Sequence, residues 1–386
     1  MKVHQRKWTA AQGWQTVGDV ALTAAPQLVL VFGARNKVSD EAAFKEVHDL
    51  FPDPATHILM ASTAGEIIGD EVLDDSLALT AIQFDKTTLE YAQATIAGVD
   101  ESEAVGKKLA EQLPAEKLVH AMVYSDGLLV NGTALVRGIL SGLPKDVSVT
   151  GGLVGDGPDF KQTSLGLGTA AKSGQVVLIG LYGESLRVGY GSFGGWDAFG
   201  PERTITKASG NVLYELDGEP ALPLYKKYLG ELASELPASG LLFPLKLRRP
   251  SEDGGAEVEV VRTILAVNEA DQSITFAGDM PEGTPSTLMK ANFERLIDGA
   301  TQAANMSTSN LKDTKFDLAL LISCVGRKLV LKQRTFEEIE AVRSVMGNQA
   351  AFTGFYSYGE ISPSSATERA CQLHNQTMTI TALAEV

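Results

Sequence analysis

The chain has 386 residues, 44% of them apolar, and a formal net charge of −15. That length exceeds the roughly 250–300 residues at which one hydrophobic core stops growing, so two domains are expected. The negative charge, with no basic stripe interleaved with aromatics to offset it, argues against nucleic acid, and no apolar run approaches the ~20 residues that span a bilayer.

The first clear strand is 28–33 (LVLVFG), an apolar run of the kind covered on both faces. A helix follows, with Ser39 as the expected N-cap and Ala42, Ala43, Val47 and Leu50 at helical spacing. The chain returns as 57–67 (HILMASTAGEI), read as one extended segment, and continues into a strand at 77–84. The same order of strand, helix, strand, glycine turn and strand recurs at 119–125, 132–140, 147–155 and 176–182. A third copy begins at 318–324 (LALLISC). Its helix opens with TFEE, which fits a capping box with Thr335 at N-cap and Glu338 at N3. Segments 351–361 and 373–383 complete it. The echo between STAGEI (62–67) and SYGEI (357–361) suggests internal duplication. Turn residues cluster at 217–223, before an amphipathic helix expected over 224–236, which places a boundary between domains 1–220 and 221–386. The stretch 248–256 reads as a polar hairpin loop. The fold class expected is mixed α/β, two domains of repeated strand-helix-strand-strand units whose mixed sheets are covered by helices.

Three glycine-rich turns follow strands: Gly65-Glu66, Gly151-Gly152 with Asp156 beyond, and Gly359-Glu360. Their backbone amides can hold an anion or admit a ligand closely. Their spacing matches neither a Walker A loop nor GxGxxG, and simple tight turning is the alternative reading. Glu66 and Glu360 would form facing carboxylates if the repeats packed about a pseudo-twofold axis; accepting backbone amides at a turn is the structural alternative. Cys324 and Cys371 are the two cysteines, too few for a disulfide framework or closed thiolate zinc site, and a reduced compartment fits. Cys324 ends an apolar strand and reads either as an inert buried thiol or as a nucleophile activated by Arg327, whose fork suits a ligand carboxylate. Among the five histidines none has metal-site spacing. On the segment 374–380, read as one strand, His374 shares a face with Met378 and Ile380. It is either a neutral core histidine or an axial haem ligand.

The segments STAGEI (62–67), GGLVGDG (151–157), LDGEPA (216–221), CVGR (324–327), TGFYSYGEI (353–361) and LHNQT (373–377) together resemble the FIST N and FIST C domain signatures, in order, over nearly the whole chain. That resemblance implies a cytoplasmic sensory module of signal transduction, not an enzyme, which binds a small ligand such as an amino acid in a cleft between its halves. It signals to a separate partner such as a histidine kinase or a cyclic-di-GMP enzyme. The ligand-binding residues expected are Gly65, Glu66, Gly151, Gly152, Asp156, Cys324, Arg327, Tyr356, Gly359, Glu360, His374 and Asn375, with Arg327 taking the ligand carboxylate and Glu66 or Glu360 its ammonium. No cofactor or metal is expected on this reading. Lys328 and Lys332 depart from the pattern, standing where glycine is usual. Two other readings stay open: a haem-binding nitric oxide sensor with His374 as axial ligand, and an enzyme using Glu66 and Glu360 or Cys324.

Overall fold

A computed structural model describes residues 1–249, 258–309, 311, 314–364 and 371–386. The apolar runs read from the sequence become the centres of three six-stranded mixed sheets. In each, two parallel strands are joined by a helical crossover and a third strand lies antiparallel beside the first. Leu28–Gly33 pairs with His57–Ser62 in parallel and with Leu77–Gln83 in antiparallel register. Leu118–Ser125, Ser148–Leu153 and Gln175–Tyr182 repeat the arrangement. Leu318–Cys324, Ala351–Ser357 and Met378–Glu385 repeat it again. Every residue of Leu28–Gly33 and of Leu318–Cys324 is buried, as strands covered on both faces must be.

What joins the three units is a cyclic exchange of strands. After its second strand, the first unit sends Glu66–Ile68 to pair with Ala351–Ser357 of the third. The third sends Gly359–Pro363 to pair with Ser148–Leu153 of the second, and the second sends Leu165–Leu167 to pair with His57–Ser62 of the first. Backbone hydrogen bonds close the same ring: Ala64 N donates to Tyr356 O at 2.8 Å, Tyr358 N to Leu153 O at 3.0 Å and Gly155 N to Ser62 O at 3.1 Å. Phe32, Tyr124 and Phe355, one ring from each unit, meet with centroids 4.8 to 6.4 Å apart. The repeats are therefore arranged in a cycle of three, and the pseudo-twofold expectation is corrected.

Several local expectations shift for physical reasons. Segment 57–67 breaks into strands His57–Ser62 and Glu66–Ile68 in different sheets, and 351–361 breaks likewise around Tyr358. The expected strand through His374 stops there; 375–377 form a turn with Gln376 at φ 64°, and Met378–Glu385 starts anew in another sheet. Ser39 is helical at φ −87°, ψ −2°, so the extended Asp40 caps Glu41–Leu50, accepting from Ala42 N at 2.9 Å. The helix expected over 224–236 is Ala221–Leu229 followed by a 3₁₀ turn. Thr335 lies inside its helix, with no side-chain cap bond, and Glu338 is drawn inward as described below.

A fourth, eight-stranded sheet runs antiparallel from Val258–Arg262 to Ile264–Asn268. It is covered by Ala221–Leu229 around a core that includes Ile205, Leu213, Leu247 and Phe276. Leu245–Arg249 and Val258–Arg262 pair antiparallel; most of the hairpin loop expected at 248–256 lies outside the described residues. Three of the four sheets draw strands from both sides of residue 220.

Candidate functional site

Segments that follow strands of all three units line a cleft of about 780 Å³. The turn after Leu28–Gly33 places Arg35 there, the turn after His57–Ser62 places Thr63 to Glu66, and the turn after Ser148–Leu153 places Asp156. The helix Val325–Leu331 contributes Lys328 from the opposite side. Arg35 Nε donates to Asp156 Oδ1 at 2.9 Å. Lys328 Nζ donates to Ala64 O at 2.9 Å and to the Asp74 carboxylate, and stands 5.3 Å from the centroid of Tyr356. Gly65 has φ +133°, which favours glycine, and a Cβ there would displace the end of the Lys328 side chain. The cleft thus presents cations and carboxylates, partly paired, to a small volume of solvent.

Glu66 forms part of the cleft floor and is 1% exposed. Thr63 Oγ1 and Ser76 Oγ each donate to it at 2.6 Å. Burial pushes its carboxyl up to about 7 against the lowering effect of those hydroxyls. Glu360 occupies the matching place in the third unit. Ser357 Oγ donates to it at 2.6 Å, and Thr377 donates through Oγ1 at 3.0 Å and N at 3.2 Å. Burial raises it to about 8. Each carboxylate ties the strand end before it to the start of its unit's third strand. Among the described residues no hydrogen bond joins the two, so they are not a facing pair but two copies of one buried brace.

Arg327 points away from the cleft into the interior and is fully buried. Its Nε and Nη2 hold Glu338 at 3.1 and 2.8 Å, Nη2 also reaches Leu296 O at 2.7 Å, and Nη1 donates to Gly194 O. Glu338 further accepts from Tyr356 Oη at 2.7 Å and Ser323 Oγ at 3.1 Å. A charge-assisted pair in the interior, with two guanidinium donors on one carboxylate oxygen and two hydroxyls on the other, outweighs the solvent-side bond that a capping box would offer Glu338. The carboxylate that Arg327 binds is therefore the protein's own, and the cations facing the cleft are Arg35, Lys328 and Lys332.

The family model of the FIST N domain matches residues 27–219, and that of the FIST C domain matches 221–363. The chain belongs to the FIST family. FIST domains are sensory domains of signal transduction rather than catalytic ones. A curated relative, an uncharacterized protein of Methanocaldococcus jannaschii, is 26% identical over 311 residues, covering 74% of this chain and 58% of that protein. The chain thus spans little more than half the length of that relative. A crystal structure of cyanuric acid hydrolase from A. caulinodans aligns over 94% of this chain and 90% of its own at 9% identity, with a TM-score of 0.32.

Of the residues singled out in the FIST-like motifs, Gly65, Glu66 and Asp156 line the cleft. Gly151 and Gly152 lie inside a buried strand, where a Cβ would meet the Val123 backbone at Gly151 and Ile322 at Gly152; they serve close strand packing. Gly359 packs against Leu153 and Leu373. Cys324 is buried, and burial, reinforced by Glu360, pushes its thiol far above the usual range, the opposite of an activated nucleophile. Tyr356 lies beneath Lys328 with its hydroxyl on Glu338. Asn375 is fully buried, and neither its amide oxygen nor its nitrogen finds a partner among the described residues.

His374 lines a second cleft, of about 670 Å³. Its Nε2 lies 3.0 Å from Ser362 O; a carbonyl only accepts, so the proton sits on Nε2 and Nδ1 alone would be left for a metal. Burial lowers its pKa to about 4. The walls around it mix the charged Lys246, Glu259, Arg295 and Asp298 with the apolar Phe193, Trp196, Val261 and Met289. The sequence motifs did not single out Arg35 or Lys328 as lining the cleft. Arg35 had a signal: it follows the first strand of its unit much as Arg327 follows the first strand of the third.

Among the described residues no helix is long and apolar enough to cross a membrane, and no cluster of His, Cys, Asp and Glu has the geometry of a metal site.

Proposed function

We propose that this chain is a sensory protein whose signal is a small carboxylate-bearing ligand of amino-acid size, bound in the cleft at the junction of the three units. The observation that carries this reading is the joint lining: Arg35, Lys328 and Lys332 border the same space of about 780 Å³ as Glu66, Asp74 and Asp156, a volume within the range of small-molecule sites. A ligand there touches both sequence halves at once, so its arrival shifts the balance of contacts between them, which is what a sensor needs to inform a separate signalling protein. A histidine kinase or cyclic-di-GMP enzyme in the cytoplasm is the kind of partner this implies.

Isothermal titration calorimetry with amino acids and small carboxylic acids tests it. At least one should bind, and Arg35→Ala should weaken that binding about tenfold, the worth of one charge-assisted hydrogen bond. The melting temperature should fall only modestly, since Arg35 is itself partly exposed and the buried Asp156 keeps the Gln162 N donor at 3.2 Å. If none binds, or if binding ignores both Arg35→Ala and Asp156→Asn, the cleft is not the sensory site.

A further inference from the structure

Lys328 does more than line this cleft. Its ammonium is held by a backbone carbonyl, a carboxylate and an aromatic face: Ala64 O at 2.9 Å, Asp74, and Tyr356 at 5.3 Å from the ring centroid. Those three kinds of group are the ones that recognise the ammonium of a ligand. The absent side chain at Gly65 makes the room, because the Lys328 Nζ, Cε and Cδ all lie where a Cβ at 65 and its contacts would be. The side chain is 16% exposed, so the position is filled and largely shielded from solvent.

We propose that Lys328 is the specificity determinant of the cleft, a tethered ammonium occupying the place of a ligand ammonium, so that this chain selects small carboxylic acids over the corresponding amino acids. The proposal rests on the cleft reading above. Glu66 is held by Thr63 and Ser76, Asp74 by Lys328 and Asp156 by Arg35, so the groups left to meet a ligand from the walls are Arg35 and Lys332. Arg35 spends Nε on Asp156 and Nη1 on Gln162, and its Nη2 has no partner among the described residues. Lys332 is exposed on the same wall with no hydrogen bond or ion pair among the described residues. Asp75 and Asp159 are exposed at the rim, where water solvates them. An incoming α-ammonium would meet Lys328 as a like charge, whereas an incoming carboxylate gains a donor from it.

The test uses matched pairs that differ only in the amino group, such as succinate and aspartate or glutarate and glutamate, titrated calorimetrically into the full chain and its variants. Wild type should bind the plain acid about tenfold or more tightly than its amino partner. Lys328→Gly, which empties the position, should reverse that order. Lys328→Met, which keeps the stem and removes the charge, should lose affinity for the acid without gaining any for the amino acid; it also guards against a helix weakened by glycine. Equal binding of both partners, or a ratio unmoved in the two variants, overturns the proposal while leaving the cleft intact, provided Arg35→Ala still weakens binding about tenfold. Binding that ignores Arg35→Ala, or no binding by any pair to wild type and Lys328→Gly, overturns both readings.

Discussion

Glu66 and Glu360 show how a side chain chosen for its charge ends up serving through its proton. Burial favours the neutral form of each and outweighs the hydroxyl donors that favour the charged one, so the folded pKa rises from 4.5 to about 7 and about 8. Between the unfolded value and those folded values the native state holds protons that the unfolded chain has released. Stability from these two groups is therefore full below about pH 4.5 and is lost as pH rises through 7 to 8, at up to about 1.4 kcal/mol per pH unit for each. The buried His120 and His374 act oppositely, with pKa values lowered from 6.5 to about 3 and about 4, but their effect is complete by about pH 6.5. Urea midpoints measured from about pH 6.5 to about pH 8.5 should thus fall for wild type. They should fall less for Glu66→Gln with Glu360→Gln, and identical slopes for the two proteins would contradict the assignment.

At the scale of elements, the helix Val325–Leu331 divides its labour: Lys328 faces the cleft while Arg327, its neighbour, locks into Glu338 and the carbonyls of Gly194 and Leu296. Removing one member of such a buried pair strands the other, so Arg327→Ala should cost about 3–5 kcal/mol in denaturant unfolding. Arg327→Met combined with Glu338→Leu should cost less than Arg327→Ala alone. A loss under 1 kcal/mol for the single change would show that the pair is not the brace described. This pairing also shows what local sequence can and cannot reveal. The strand Leu28–Gly33 and its counterparts were legible because an unbroken apolar run has few alternatives to a doubly covered strand. Thr335 and Glu338 matched a capping box, yet Glu338 answers to Arg327, Tyr356 and Ser323, partners that no three-residue window contains. The breaks at 63–65 and 375–377 were hidden for a related reason. The chain leaves one buried sheet and enters another, so burial is unbroken where the hydrogen-bond partners change. Gly65 and Glu66 could be singled out as a turn, but the lysine that fills the space over Gly65 comes from the far end of the chain.

For the whole molecule, the cyclic exchange of strands makes each unit incomplete alone. The second strand of every unit gains its outer neighbour from another unit. The fourth sheet also crosses residue 220, with Asp197–Ser209 bonded to Pro285–Lys290. A cut at 220 would leave Ser148–Leu153 without Gly359–Pro363 and Ala351–Ser357 without Glu66–Ile68, exposing strand edges flanked by fully buried apolar residues. The two family models meet at that point, but the physical unit of folding spans it. Separately expressed fragments 1–220 and 221–386 should each lack a cooperative thermal transition, and an equimolar mixture refolded together should regain one. The intact chain should unfold in a single step by both fluorescence and far-ultraviolet circular dichroism, because no sheet but the first can open without unpairing strands from both halves. A fragment that melts cooperatively by itself would mean that its own core suffices, and that the exchanged strands decorate the units without holding them together.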